Sequence, residues 1–175
     1  MIQKGKKMKS RLLFVALLAV AVMMTASTAF AAPTSKATPL KGSWDSSEIP
    51  TFVPAPPPDA VTMYVDGDAS GNATHLGTYT AKFEATVNLA CGCSVGDTVH
   101  FIAANGDSLY GVGAGSGVPS DTPGYTLVTQ FYAITGGTGR FAGATGDFTV
   151  TRLANNATGI SKGSFNGTIV LARDQ

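Results

Sequence analysis

The sequence predicts an all-β fold, an eight-stranded antiparallel up-and-down β-barrel, on three observations. The chain holds 21 glycines, many threonines and few strong helix formers, which is a composition of short strands and tight turns. Gly77 to Leu89 alternates apolar and polar residues without a break. Ile134 to Phe148, ITGGTGRFAGATGDF, places five glycines among fifteen residues. That density marks a shaped loop or bulge between two strands.

The chain opens with Lys4, Lys6, Lys7, Lys9 and Arg11, then an apolar run from Leu12 to Met24, then small residues. This is the order of a secretory signal peptide, and Ala29-Phe30-Ala31 supplies the cleavage pattern, so residues 1–31 are expected to be removed. The apolar run is shorter than the ~20 residues of a spanning helix, so no integral membrane association is expected after cleavage. The expected location is secreted or periplasmic. Five of the 12 basic residues leave with the signal and none of the 11 acids, giving the mature chain a formal charge of −4. A mildly acidic chain lacks the basic footprint of a nucleic-acid binder. The 144 residues after the signal suffice for one domain.

Residues 32–60 read as a flexible, Pro-rich N-terminal segment holding a candidate first strand at Lys41 to Ser47, around Trp44. Pro50 to Pro58 then reads as a spacer or barrel-end loop, because proline donates no ladder hydrogen bond. The barrel domain is expected over 61–175. Its next strand is Val61 to Asp66, ended by a turn in DGDASGNAT. Asp66, Asp68 and Asn72 there imitate a calcium loop but lack the late bidentate Glu, so an ordinary hairpin turn is the expectation.

In Gly77 to Leu89, the residues Tyr79, Ala81, Phe83, Ala85, Val87 and Leu89 point to the core, and Glu84 falls on the solvent side. Asp97 to Ala104 is a fourth strand, and Asn105-Gly106 carries a type I′ hairpin signal. Asp107 to Gly115 returns with Leu109, Gly111, Gly113 and Gly115 on one face, a row that implies tight curvature or space beside a ligand. Tyr125 to Thr135, Thr145 to Leu153 and Ile160 to Ala172 complete the set. Closing eight such strands into a barrel removes exposed edges.

Three stretches, GNATHLGTYT (Gly71 to Thr80), FIAANGDSLYG (Phe101 to Gly111) and ITGGTGRFAGATGDFTV (Ile134 to Val150), resemble the bacterial secreted domains of the allene oxide cyclase barrel-like family. The glycine stretch is also similar to the corresponding loop of plant dirigent proteins. The resemblance spans roughly Val61 to Leu171 and implies a calycin-like barrel. It further implies a shaped apolar cavity. Plant allene oxide cyclases guide the ring closure of a fatty-acid epoxide, and dirigent proteins steer the coupling of phenolic radicals. No catalytic set of either family maps onto this sequence, and the oligomers of the plant relatives leave a homo-oligomer open.

The residues themselves narrow the chemistry. His75 and His100, the two histidines, lie apart without ligand spacing, so no metal is expected. His75 reads as a locally bonded turn residue, with ligand contact as its alternative; His100 reads as solvent-facing. Cys91-Gly92-Cys93 in an exported chain reads as a small disulfide, with redox activity, copper binding, intermolecular pairing or free thiols as alternatives. Arg140 either binds a carboxylate at the barrel mouth or packs over an aromatic or against an acid while Phe141 plugs the end. Tyr79 and Phe83 are the expected cavity lining. Three functions follow: binding of a small apolar ligand without a cofactor, a cofactor-free cyclase or isomerase acting by confinement, or an interaction protein with a filled barrel.

Overall fold

The computed structural model describes residues 36–53 and 62–172. The signal segment 1–31 and the run Pro56-Pro57-Pro58 lie outside the described residues. Eight strands follow one another: β1 (Thr38–Val53), β2 (Thr62–Ala73), β3 (Gly77–Asn88), β4 (Cys93–Ala103), β5 (Ser108–Pro119), β6 (Tyr125–Gly137), β7 (Thr145–Asn155) and β8 (Ile160–Val170). Each pairs antiparallel with its neighbours in sequence, and β1 pairs with β8, so the sheet closes into an up-and-down barrel. Period-two alternation sends one side chain inward and the next to solvent.

β3 is the strand that the sequence displays most plainly. Tyr79, Ala81, Phe83 and Ala85 are buried while Thr78, Thr80, Lys82, Glu84 and Thr86 are exposed. Leu89 lies beyond the strand end and is exposed. Two other strands run further than the residue types imply. β1 continues through Pro50 to Val53, pairing Pro50 with Val65 and Phe52 with Met63, and it is part of the barrel wall on both sides. β2 continues through the segment expected to turn: Asp66, Asp68, Ser70 and Asn72 face solvent while Val65, Gly67, Ala69, Gly71 and Ala73 face inward. Glycines and small polar residues here mark a strand with little inward volume, and the turn falls instead at 74–76.

That lack of volume is matched across the ladder. Gly67 pairs with Phe83, Gly42 with Phe165, Gly113 with Tyr132 and Gly167 with Phe148, each an inward glycine directly opposite a large ring. Gly115 with Gln130 and Gly163 with Arg152 follow the same rule with polar partners. A Cβ added at any of the six would come within 3.0 Å of its partner's side chain. The inward glycine row of β5 is thus filled from β6, and it does not leave open space.

One end of the barrel is sealed. Leu40, Leu76, Leu109, Phe141 and Ile169 close it, and Tyr79, Phe101, Phe148 and Phe165 stack beneath in edge-on and tilted contacts. Trp44, Phe83 and Tyr132 form the next layer, with Trp44 5.3 Å from Phe83. The opening glycine stretch forms the end of β6, a 3₁₀ turn at Gly139–Phe141 and the start of β7, which drops Phe141 into the sealed end. The Asn105-Gly106 hairpin departs from type I′. Gly106 alone of the two has positive φ, and the turn is held by Gly106 N–H donating to Ala103 O and by the Asn105 side chain accepting from Asp107 N–H.

The glycine-to-ring pairing leads to a measurable cost. In Gly167→Ala the new methyl meets the Asp147 carbonyl and the Phe148 Cβ, neither of which can swing away. Urea denaturation is expected to show a loss of about 1–3 kcal/mol from this overpacking. Thr168→Ala, on the solvent face of the same strand, is expected to stay within about 0.5 kcal/mol of the wild type. Equal effects from the two changes would contradict the pairing.

Candidate functional site

Along each strand the inward side chains change character toward the other end. In β1 the order is Trp44, Ser46, Glu48, Pro50, Phe52; in β6 it is Tyr132, Gln130, Val128, Thr126; in β7 it is Phe148, Val150, Arg152, Ala154. Above the aromatic layers lies a polar layer, and above that an open cavity of about 420 Å³. Met63, Val65, Ala85, Val87, Val128 and Ala154 are among its walls, and Glu48, Arg152, Gln130 and Ser94 lie toward its floor. The interior is packed in one half and hollow in the other.

The floor is one connected network. Ser94 Oγ and Gln130 Nε2 donate to Asp97 Oδ2 at 2.7 and 2.8 Å, and Arg152 Nη2 donates to Gln130 Oε1 at 3.3 Å. Arg152 Nη1 donates to Glu48 Oε1 and to Ser161 Oγ. Ser161 Oγ donates to Glu48 Oε1 at 2.7 Å, and Ser46 Oγ joins both while accepting from Trp44 Nε1 at 3.0 Å. Asp97, Gln130, Arg152 and Ser161 are all at most 4% exposed. Arg152 also sits over the Phe83 ring, 5.2 Å from its centre.

A bulge makes this layer reachable from β4. The register shifts between Val95 and Asp97 with Gly96 at φ +74°, which throws Val95 outward and sets Asp97 in line with the inward Val99 and Phe101. The layer holds two carboxylates against one guanidinium. Burial pulls the Arg152 guanidinium below its ordinary range, opposed by Glu48. Among the described residues, three buried polar atoms have no partner: Asp97 Oδ1, the Tyr132 hydroxyl and Arg152 Nε. Such unpaired groups are costly away from a functional site. Among the described residues no group of three or more His, Cys, Asp and Glu converges on one point.

None of Tyr79, Phe83, Arg140 and His75 lines the cavity. Tyr79 lies in the sealed half, its hydroxyl donating to Ser43 O at 2.6 Å, and Phe83 lies beneath the floor. Arg140 is at the sealed end, 3.5 Å from Asp107 and over the Phe141 ring at 5.0 Å. His75 occupies the β2–β3 turn at φ +64°, and its Nε2 meets Thr38 Oγ1 at 3.1 Å, a partner distant in sequence. His100 is half-buried on the outer face, bonded to Ser108 and packed on Tyr110. Cys91 and Cys93 are joined by a disulfide at the β3–β4 turn, and the intervening Gly92 contributes to the cavity rim.

The polar floor carried a sequence signal that residue-type reasoning passes over. Asp97 shares parity with Val99 and Phe101, Gln130 with Tyr132 and Ile134, and Arg152 with Phe148 and Val150. Alternation alone places all three inward.

No family model matches the sequence, and no curated protein matches it. Among solved structures the chain is similar to the pterocarpan synthase dirigent protein GePTS1, with a TM-score of 0.51 and 17% sequence identity over 80% of this chain and 87% of that one. It is also similar to the pterocarpan synthase dirigent protein PsPTS1, with a TM-score of 0.50 and 18% identity over 79% of this chain and 97% of that one. At these identities the likeness establishes the fold, an eight-stranded barrel of the dirigent type.

Burial first and Asp97 second raise the Tyr132 phenol above its ordinary value, and burial first and Asp45 second do the same for Tyr79. A group whose folded-state pKa is raised contributes stability that is full below the unfolded value, about 10 for tyrosine, and is lost as pH climbs above it. Stability is therefore expected to fall above about pH 10, with phenolate absorbance from these two residues rising together with loss of the circular-dichroism signal. Phenolate formation at all tyrosines before any unfolding would contradict this burial.

Proposed function

We propose that the chain is exported after removal of residues 1–31 and binds a small, largely apolar molecule in the open half of the barrel. The observation that carries this reading is the cavity of about 420 Å³, apolar on its walls and charged on its floor. A concave, mainly apolar pocket with a few convergent polar groups is the ordinary form of a small-molecule site, and its volume lies in the usual ~300–1,000 Å³ range. The walls supply affinity through burial of apolar surface, and the floor fixes which end of the ligand enters first.

A second reading is favoured by the floor itself. A cofactor-free cyclase or isomerase of the allene oxide cyclase or dirigent type needs confinement and a buried polar group to meet developing charge. Glu48 and Arg152 supply such groups at the cavity floor, with Ser94 and Gln130 beside them. The similarity to pterocarpan synthase dirigent proteins supports this reading at the level of fold.

Native mass spectrometry of the mature protein from its own host tests the binding reading. A reproducible added mass, removed by organic extraction, is expected. Val128→Trp, which places an indole in the cavity beside Arg152, its partner across the ladder, is expected to abolish that mass while changing stability by no more than about 1 kcal/mol, because the ring enters empty space. Bare wild-type protein, with no thermal shift from fatty acids, alcohols or phenolics, would contradict it.

A further inference from the structure

We infer that Glu48 makes the cavity selective for uncharged, hydroxyl-bearing ligands, by occupying the guanidinium to which a carboxylate would otherwise bind. The inference rests on the reading of the cavity as a ligand site. Arg152 is the one cation among the described residues that line the cavity. In a free state it would be the natural anchor for a fatty acid or other organic anion, since a guanidinium grips a carboxylate through paired N–H donors.

Here the Nη1 side of that anchor is taken, and Nε, which has no partner among the described residues, is buried. Nη1 of Arg152 donates to Glu48 Oε1 and to Ser161 Oγ, and Nη2 donates to Gln130 Oε1. Ser161 donates to the same Glu48 oxygen at 2.7 Å and is backed by Ser46 at 2.6 Å, which holds the carboxylate over the guanidinium from a second side. Asp97 stands behind Gln130 as a second negative charge with one oxygen unpaired. An incoming carboxylate would be a third anion beside a single cation, in a site walled from water on most sides, where like-charge repulsion is strong.

A hydroxyl meets no such penalty. It can accept from a guanidinium N–H and donate to a carboxylate oxygen, and Glu48 Oε2 accepts no bond among the described residues. The opposite charge carriers in the sealed half do not alter this balance: Arg140 is engaged with Asp107 at the far end of the barrel. Glu48 thus acts by exclusion, as an introduced repulsion against one ligand class.

The test is a matched set of ten-carbon probes, 1-decanol, methyl decanoate and sodium decanoate, titrated into the mature chain at about pH 8, where the acid is ionised. Fluorescence of Trp44, the single tryptophan, reports binding because its N–H is bonded to Ser46 in the floor. The wild type is expected to bind decanol at least about tenfold more tightly than decanoate, and Glu48→Gln, which keeps the side-chain shape but removes the charge, is expected to bring the two within about threefold. An unchanged decanol-to-decanoate ratio in a folded Glu48→Gln protein would overturn the inference while leaving the cavity reading standing. Should that variant fail to fold by circular dichroism, the wild type alone decides: decanoate bound as tightly as methyl decanoate overturns it. If none of the three probes binds the wild type, the reading of the cavity as a ligand site fails, and the inference goes with it.

Discussion

The structure depends on one steric constraint, the placement of an inward glycine directly across the ladder from each of several large inward side chains. An eight-stranded barrel has an interior barely wide enough for its own side chains. Phe83, Tyr132, Phe148 and Phe165 fit because Gly67, Gly113, Gly167 and Gly42 vacate the facing positions. A slip of two residues keeps the inside-outside alternation but can set Phe148 against Phe165, or Phe165 against Trp44, so along β8 the glycine pairing specifies register where hydrophobic pattern alone does not. The same device carries Arg152 and Gln130 over Gly163 and Gly115, so the polar floor is positioned by the rule that packs the core.

This explains which features were legible in the residues. The alternation of β3, the number of strands and the closing of the barrel follow from period-two patterning and turn spacing. β2 was hidden because Gly67, Gly71 and the intervening aspartates imitate a turn when the partner strand is out of view; only Phe83 across the ladder explains why small residues belong there. β1 ran past Pro50 because its wall position is fixed by pairing with β2. The floor was missed for another reason. Asp97, Gln130 and Arg152 sit at inward positions by simple parity, but polar and charged residues are ordinarily assigned to solvent, and Ser94 joins them only through the bulge at Gly96. Tyr79 and Phe83, chosen as lining because they are large and inward, serve the packed half because that is where the aromatic rings have glycine partners.

Burying Arg152 with Glu48 and Asp97 is not a route to high stability. The desolvation of such a group commonly cancels its Coulombic gain, whereas breaking it leaves a charge unpaired at a cost of about 3–5 kcal/mol. A barrel built only to be stable could fill this layer with apolar side chains. The layer instead lies where the packing stops, bounded below by Trp44, Phe83 and Tyr132 and above by the hollow mouth, and it leaves three polar atoms without partners. Packed half, charged floor and open half therefore act as one arrangement: the first holds the second rigid, and the second gives the third its chemistry.

The most direct measurement of this account is a crystal structure of the mature chain at a resolution that shows ordered water. The account requires Arg152 between Glu48 and Gln130, each of the six inward glycines opposite its large partner, and an interior above the floor that holds solvent or a ligand and no protein side chain. A barrel whose mouth is filled by Phe52, Met63 and their neighbours, or whose register departs from the glycine pairing, would contradict it.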